Sequence, residues 1–165
     1  MTVRLEDPEA RLQHARDLAW RALNRRERTV AEMARLLAGK RVEPAAIEMV
    51  VSELREQGYL DDASYAQRFA EDRRRLDAWG ADRIERKLLS LGVDRELIAA
   101  ALSERDHDGE LAAAGELLAR RFPAAPESPR DRDRALGMLV RKGYDLQLAY
   151  DALRRHAGVE AEPLD

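Results

Sequence analysis

Three turns in this sequence stand at one interval, and that interval dictates what the chain can fold into. Val42, Val93 and Tyr144 are the apolar residues of those turns, and 93 − 42 = 144 − 93 = 51. The same offset carries Leu37 onto Leu88 and Leu139, Ile47 onto Ile98 and Ala149, and Val51 onto Leu102 and Leu153. It also carries Thr29, a helix cap, onto Gly80 and Asp131. Agreement of core-type residues at several positions marks an internal repeat. Each repeat reads as three helices, since apolar residues recur at helical spacing and no strand-like alternation competes. The expected fold is all-α, an elongated, curved array of three tandem three-helix repeats, about nine helices, each unit burying its face against its neighbours. The expected divisions are 8–58, 59–107 and 108–157, with 1–7 and 158–165 as flexible termini.

The sharpest local signal is Gln57-Gly58-Tyr59-Leu60-Asp61-Asp62-Ala63-Ser64-Tyr65-Ala66. Gly58 can take the left-handed conformation that closes a helix. Asp61 can cap the next helix with its carboxylate. Leu60 and Tyr65 then have the spacing of a hydrophobic staple. The stretch reads as a joint between two helices, with Asp62 beside it explained by capping.

Helix signals fill the rest of the chain. Pro8 after Asp7 opens the first helix, with Leu12, Ala15, Ala19, Ala22 and Leu23 inward. Thr29 and Glu32 form a capping box for the second, and Glu43-Pro44 starts the third. Ala66, Phe69, Ala70 and Leu76 mark a fourth, closed near Trp79-Gly80; Ile84, Leu88 and Leu91 mark a fifth; Leu97, Ile98, Ala101 and Leu102 a sixth. His107 to Gly109 is expected to break the chain before a seventh helix of Leu111, Ala114, Leu118 and Phe122. The proline-rich run from Pro123 to Pro129 is a linker. Asp131 is expected to cap the eighth helix, and Leu146, Ala149, Tyr150 and Leu153 to form the inner face of the ninth.

Composition excludes several classes. There is no cysteine, so disulfide frameworks, thiolate metal sites and cysteine nucleophiles are absent. Charged residues make up 37%, but 29 basic and 32 acidic side chains leave a net charge of only −3, which does not suit a uniformly basic nucleic-acid binder. No apolar run approaches the roughly 18 residues of a membrane span, and Met1 to Glu9 does not read as a signal peptide. A cytoplasmic monomer with no membrane partner is expected.

Catalytic signals are weak. His14, His107 and His156 stand far apart without metal-ligand spacing, and no glycine-rich phosphate loop occurs. The expectation is a binding protein and not an enzyme, with no metal and no cofactor. The second and third helices of each unit look like helix–turn–helix pairs, but a recognition helix must reach base edges and phosphates. Glu43, Glu48, Glu53 and Glu56 dominate the third helix, and Glu96 and Glu104 offset the arginines of the sixth. Basic clusters lie elsewhere: Arg25, Arg26 and Arg28; Arg73, Arg74 and Arg75; Arg83, Arg86 and Lys87; Arg120 and Arg121; and Arg130, Arg132 and Arg134. All but the three of the eighth helix are the candidate contacts to a partner or DNA, weighed against the plain preference of cations for helix C-termini. Arg73 to Arg75 are expected on a solvated helix end, and Tyr59 and Trp79 as packing residues of the joints.

Gly58-Tyr59-Leu60-Asp61-Asp62, then Tyr65-Ala66, Trp79-Gly80, Ile84 and Gly92-Val93-Asp94, resemble the RecX family of recombinase regulators. The resemblance runs from Leu12 to His156; the proline-rich segment and the acidic balance depart from it. It implies a non-enzymatic modulator that lies along the RecA–DNA filament and lowers strand exchange, ATP hydrolysis and co-protease activity. The implied partner is the RecA filament, with single- or double-stranded DNA as a second partner. The rival readings are a stand-alone DNA-binding helical protein and a generic helical-repeat adaptor.

Overall fold

A computed structural model describes residues 7–158, and among these the secondary structure is nine α-helices without a strand. They are α1 (Pro8–Arg25), α2 (Val30–Gly39), α3 (Pro44–Glu56), α4 (Asp62–Asp77), α5 (Ala81–Ser90), α6 (Arg95–Leu102), α7 (His107–Arg121), α8 (Pro129–Lys142) and α9 (Leu146–His156). The termini expected to be flexible fall almost wholly outside the described residues.

The interval of 51 has a backbone counterpart. Arg41, Gly92 and Gly143 all adopt positive φ, at 63°, 80° and 103°. One residue later, the amides of Val42, Val93 and Tyr144 donate to the carbonyls of Leu37, Leu88 and Leu139 at 3.1, 3.1 and 3.0 Å. This is a left-handed closure of a helix, repeated three times. Glycine serves at two of the positions; Arg41 bears the strain of the third. Core positions follow the same spacing. Met33, Ile84 and Ala135 are fully buried, as are Leu37, Leu88 and Leu139.

Tertiary contacts group the chain into two compact units. The first comprises the described residues through Ala66 together with Leu88–Leu97, and the second Gln67–Lys87 with the residues from Ile98 onward. The middle helices α4, α5 and α6 are thus divided between them. In the first unit Ala15, Ala19 and Ala22 line one face of α1, their small side chains admitting Met33 and Leu37 of α2 and Val50 and Leu54 of α3. In the second, Leu111, Ala114, Leu117 and Leu118 of α7 pack with Ala135 and Leu139 of α8 and with Leu148, Ala149 and Ala152 of α9.

Four local expectations are corrected. Ser128, not Asp131, caps α8: its hydroxyl accepts from the Asp131 amide at 3.1 Å, and Pro129 occupies the first helical position. The α8 start is therefore three residues early on the repeat. His107 to Gly109 is not a break, because the Asp106 carboxylate accepts from the Gly109 amide and starts α7 at His107. Leu76 is 60% exposed at the end of α4 and is no core residue. The inner face of α9 is Leu148, Ala149 and Ala152, while Leu146 and Tyr150 are exposed; the true cap Asp145 sets that phase.

Candidate partner-binding surface

The helix closure at Gly58 and the Asp61 cap form within the first unit. Gly58 has φ of 81°, its amide donates to Arg55 O at 3.1 Å, and the Tyr59 amide to Leu54 O at 2.9 Å. These two bonds make a Schellman motif. Asp61 accepts from the Ser64 amide at 3.1 Å and opens α4. Leu60 is buried in the α1–α3 core. Asp62 does something the sequence did not disclose: its carboxylate accepts from the Val30 amide at 2.9 Å, at the start of α2. Burial holds the Asp62 carboxyl above the usual range, and the bond from Val30 offsets this only in part.

Thr29 completes that knot. Its hydroxyl is fully buried, donates to Leu91 O at 2.6 Å and accepts from the Glu32 amide at 3.1 Å. Gly92 follows closely: a Cβ there would stand 2.3 Å from Ala31 Cβ. Glu32 returns a bond to the Thr29 amide at 3.2 Å and meets Arg26 at 2.6 Å. Burial raises the Glu32 carboxyl, but the bonds from Arg26 and Thr29 prevail and hold it below its ordinary value. Tyr65, half-buried, is pushed up first by burial and then by the Glu32 charge. Tyr59 is 55% exposed, its ring meeting Trp20 edge-on at 4.6 Å.

Trp79 and Gly80 anchor the second unit. The Gly80 amide donates to Lys142 O at 2.8 Å and the Asp82 amide to Gly143 O at 2.9 Å. A Cβ on Gly80 would lie 2.5 Å from the Gly143 backbone, so a glycine is required there by proximity. The Trp79 ring carries the Arg83 guanidinium over its face at 4.2 Å and meets Phe69 edge-on at 6.1 Å. Glu110, buried, accepts from the Ala81 amide at 2.7 Å and pairs with Arg105.

The basic candidates separate into those facing outward and those bonded within the protein. Arg73 and Arg74 do not sit on a solvated end. Arg73 pairs with Asp77 and lies 5.7 Å from the Phe69 ring centre. Arg74 is half-buried and donates to Leu102 O at 3.0 Å, closing the carbonyl end of α6. Burial, then the neighbouring Arg105, holds its guanidinium below the ordinary value. Arg83 stacks on Trp79 and donates to Arg141 O at 3.2 Å. Arg28 is half-buried. Arg25, Arg75, Arg86, Lys87, Arg120 and Arg121 are exposed, and Arg26, also exposed, is held by Glu32 at 2.6 Å. The acidic face of α3 is also partly spoken for, since Arg16 holds Glu53 with two bonds of 2.8 and 2.9 Å and Arg11 meets Glu43 at 3.0 Å.

Two open grooves in the second unit are lined by arginine. One, of about 700 Å³, lies between α4 and α6, where Arg74, Arg75 and Arg105 are balanced by Glu71 and Glu104. The other, of about 790 Å³, runs along α8 beside the end of α7, with Arg121, Arg130, Arg134 and Arg141 against Asp133 alone. Arg141 escaped the sequence reading; its spacing from Arg130 and Arg134 was the signal that could have found it. Among the described residues no cluster of three or more histidines and carboxylates could hold a metal, and no helix is long and apolar enough to cross a membrane.

A family model described as "RecX, first three-helix domain" matches residues 15–54, and "RecX, second three-helix domain" matches 61–102. The chain is 31% identical over 159 residues to "Regulatory protein RecX" of Streptomyces coelicolor, covering 95% of this chain and 85% of that protein. The chain belongs to the RecX family. A second RecX relative, from Leptothrix cholodnii, is 34% identical over 136 residues, 82% of this chain and 85% of its own. The crystal structure of RecX from Lactobacillus salivarius superposes with a TM-score of 0.78 over 90% of this chain and 98% of that one; at 18% identity this likeness is one of fold. RecX proteins are regulatory, and the tandem three-helix organisation is theirs.

Proposed function

We propose that this chain binds the RecA–DNA filament and lowers its recombinase, ATPase and co-protease activities, without chemistry of its own. Family membership supports the reading most directly, since the relatives that match nearly the whole chain are named regulatory proteins. The three repeats at 8–58, 59–107 and 108–157 are proposed as its binding units. A filament presents one protomer after another, and tandem units suit such a partner. Its place of action is the cytoplasm, as a monomer and without a cofactor.

Within this reading the contacts to the filament come from exposed cations, with Arg75 of α4 and Arg86 and Lys87 of α5 as the set to test. Arg73, Arg74 and Arg83 are excluded from that set because they are half-buried and engaged by Asp77, the Leu102 carbonyl and the Trp79 ring. Each exposed charge contact at a rim is worth up to about 1 kcal/mol, so reversing three should weaken inhibition about tenfold or more. The measurement is RecA ATP hydrolysis on single-stranded DNA, titrated with wild type and with Arg75→Glu/Arg86→Glu/Lys87→Glu. Equal potency would place the contact elsewhere on the chain. Hydrolysis unaffected by the wild type itself would overturn the function.

A further inference from the structure

The contact that joins one repeat to the next is built twice, and both copies obey the interval of 51. In the first unit the Thr29 hydroxyl, at the start of α2, donates to Leu91 O at 2.6 Å. In the second unit the Gly80 amide, at the start of α5, donates to Lys142 O at 2.8 Å. Thr29 and Gly80 are 51 residues apart, and so are Leu91 and Lys142. In each case the accepting carbonyl stands one residue before the left-handed Gly92 or Gly143 that closes a helix. A helix start, with its orphan donors, thus lies on a helix end, with its orphan acceptors. The fit is close: a Cβ on Gly92 would lie 2.3 Å from Ala31 Cβ, and one on Gly143 2.4 Å from Arg83 Cβ.

One interval before Leu91 stands Lys40. Its carbonyl precedes the left-handed Arg41 as Leu91 precedes Gly92, and the Val42 amide closes the turn on Leu37 O at 3.1 Å. Among the described residues no hydrogen bond reaches the Lys40 carbonyl. Gly39, Lys40 and Arg41 are exposed, and a methyl on Gly39 would meet nothing within 4 Å. The α2–α3 turn is therefore the acceptor half of the junction without its donor half. Its side chains also differ from those of the two filled turns. The seated helices α2 and α5 carry Glu32 and Asp82 in their first turns. The open turn presents Lys40 and Arg41, cations suited to such an acid, while Glu43 beside them is held by Arg11 at 3.0 Å. Arg41 has a side chain where Gly92 and Gly143 have none, so a helix start that fits here must be small where it meets Arg41.

We propose that the α2–α3 turn is a docking site for the start of a helix on a protomer of the filament. That helix carries Asp or Glu in its first turn and glycine or alanine at the residue facing Arg41. Its first amides donate to the Lys40 carbonyl, as the Gly80 amide does to Lys142 O. Its carboxylate meets the Lys40 ammonium and the Arg41 guanidinium, at a helix end whose dipole already favours an anion. An array whose repeats stack by one repeated contact leaves that contact open at its end, and end repeats of such arrays differ from the inner ones. Arg41 in place of glycine is that difference. The inference rests on the filament reading, and it adds a second kind of contact, through the backbone, to the exposed cations named above.

The chain has no cysteine, so a single Gly39→Cys places a benzophenone photo-cross-linker beside the turn while Lys40 and Arg41 stay in place. The full chain is cross-linked to RecA assembled on single-stranded DNA, and the joined peptides are read by mass spectrometry. Cross-links should fall in the first turn of a RecA helix bearing Asp or Glu. The second measurement is RecA ATP hydrolysis titrated with Lys40→Glu/Arg41→Glu, which should need about tenfold more protein for half inhibition. The control, Arg21→Glu/Arg95→Glu, reverses two exposed cations elsewhere and should shift that concentration less than about threefold. Circular dichroism melts establish that both variants fold. Cross-links that are absent, or spread over strands and loops, overturn the docking site, as does full potency of Lys40→Glu/Arg41→Glu. So does an equal loss in the control, which means diffuse charge. Hydrolysis untouched by the wild type is a different failure: it removes the filament reading, and this site with it.

Discussion

Glu110 is the residue whose removal the second unit should tolerate least. It is buried near the start of α7. One carboxylate oxygen accepts from the Ala81 amide at 2.7 Å and so caps α5; the other accepts from Arg105 Nε at 2.7 Å. Arg105 is itself only 19% exposed in its side chain and reaches Trp79 O at 3.4 Å. Glu110→Ala therefore removes a cap, worth about 1 kcal/mol. It also leaves a largely buried guanidinium unpaired, and breaking such a pair typically costs 3–5 kcal/mol. The two overlap, because Arg105 can turn partly toward solvent, so a total of about 3–4 kcal/mol is expected. For a chain of this size that lowers the melting midpoint by about 10 °C.

The assay is urea unfolding followed by tryptophan fluorescence in a Trp20→Phe background, which leaves Trp79 as the reporter of its own unit. A double-mutant cycle separates the pair from the cap. Arg105→Met alone leaves a buried carboxylate that still holds the Ala81 amide. Combining it with Glu110→Ala removes both charges together, so neither partner is left buried without the other. The double variant should be less destabilised than the sum of the singles by about 1 kcal/mol or more. Additive losses, or a cost below about 1 kcal/mol for Glu110→Ala, would refute the idea that this carboxylate organises the turn from Trp79 to Ala81.

Two further outcomes follow from the same geometry. Gly80→Ala drives a Cβ to 2.5 Å from the Gly143 carbonyl and should destabilise by about 2 kcal/mol, whereas Gly115→Ala, with nothing within 4 Å of its new methyl inside α7, should stabilise by about 0.5–1 kcal/mol in thermal melts. Asp62→Asn keeps an acceptor for the Val30 amide but removes a carboxyl whose folded pKa is raised by burial above the ordinary 3.8. A raised acid contributes stability that is complete below its unfolded pKa and is lost as pH rises through the folded one. The wild-type stability should accordingly fall, relative to the variant, as pH climbs from about 4 toward neutrality; a constant difference between the two across that range would show that Asp62 does not titrate with folding.

The fold was legible because its determinants are periodic and local. One offset relates buried leucines, a left-handed residue and its closing hydrogen bond in all three repeats. Each is specified by a side chain or a glycine within a few residues of where it acts. Misreadings occurred where two local signals competed. Asp131 and Ser128 are both good caps, and Pro129, preset for a first turn, decided for Ser128. Asp106 stands just outside the stretch that looked like a break, and its carboxylate carried the helix through a glycine. Long-range bonds left no trace at all: Thr29 to Leu91, Asp62 to Val30 and Glu110 to Ala81 join residues whose identities alone look like ordinary caps.

The candidate surface was harder to read because arginine density in the sequence is a poor guide to arginine availability. Three consecutive residues on a helix point about 100° apart, so a run such as Arg73 to Arg75 must turn some of its members against the protein. Arg73 accordingly meets Asp77 and Arg74 the end of α6, and only Arg75 of the three is exposed, with Asp72 a loose partner at 3.5 Å. Arg130, Arg134 and Arg141 look scattered among acids on α8, yet their spacing returns them to one side of the helix. What a ligand meets is angular phase and exposure, and both favour the scattered set over the run. The stacked and capping arginines work in the opposite direction. A guanidinium that closes a carbonyl end, or lies on an indole, has its geometry fixed and its donors partly used, so substituting it changes stability before it changes recognition. A variant at Arg74 or Arg83 that weakened binding would therefore report on the turn it supports, and only the exposed positions can separate the partner's contribution from the fold's.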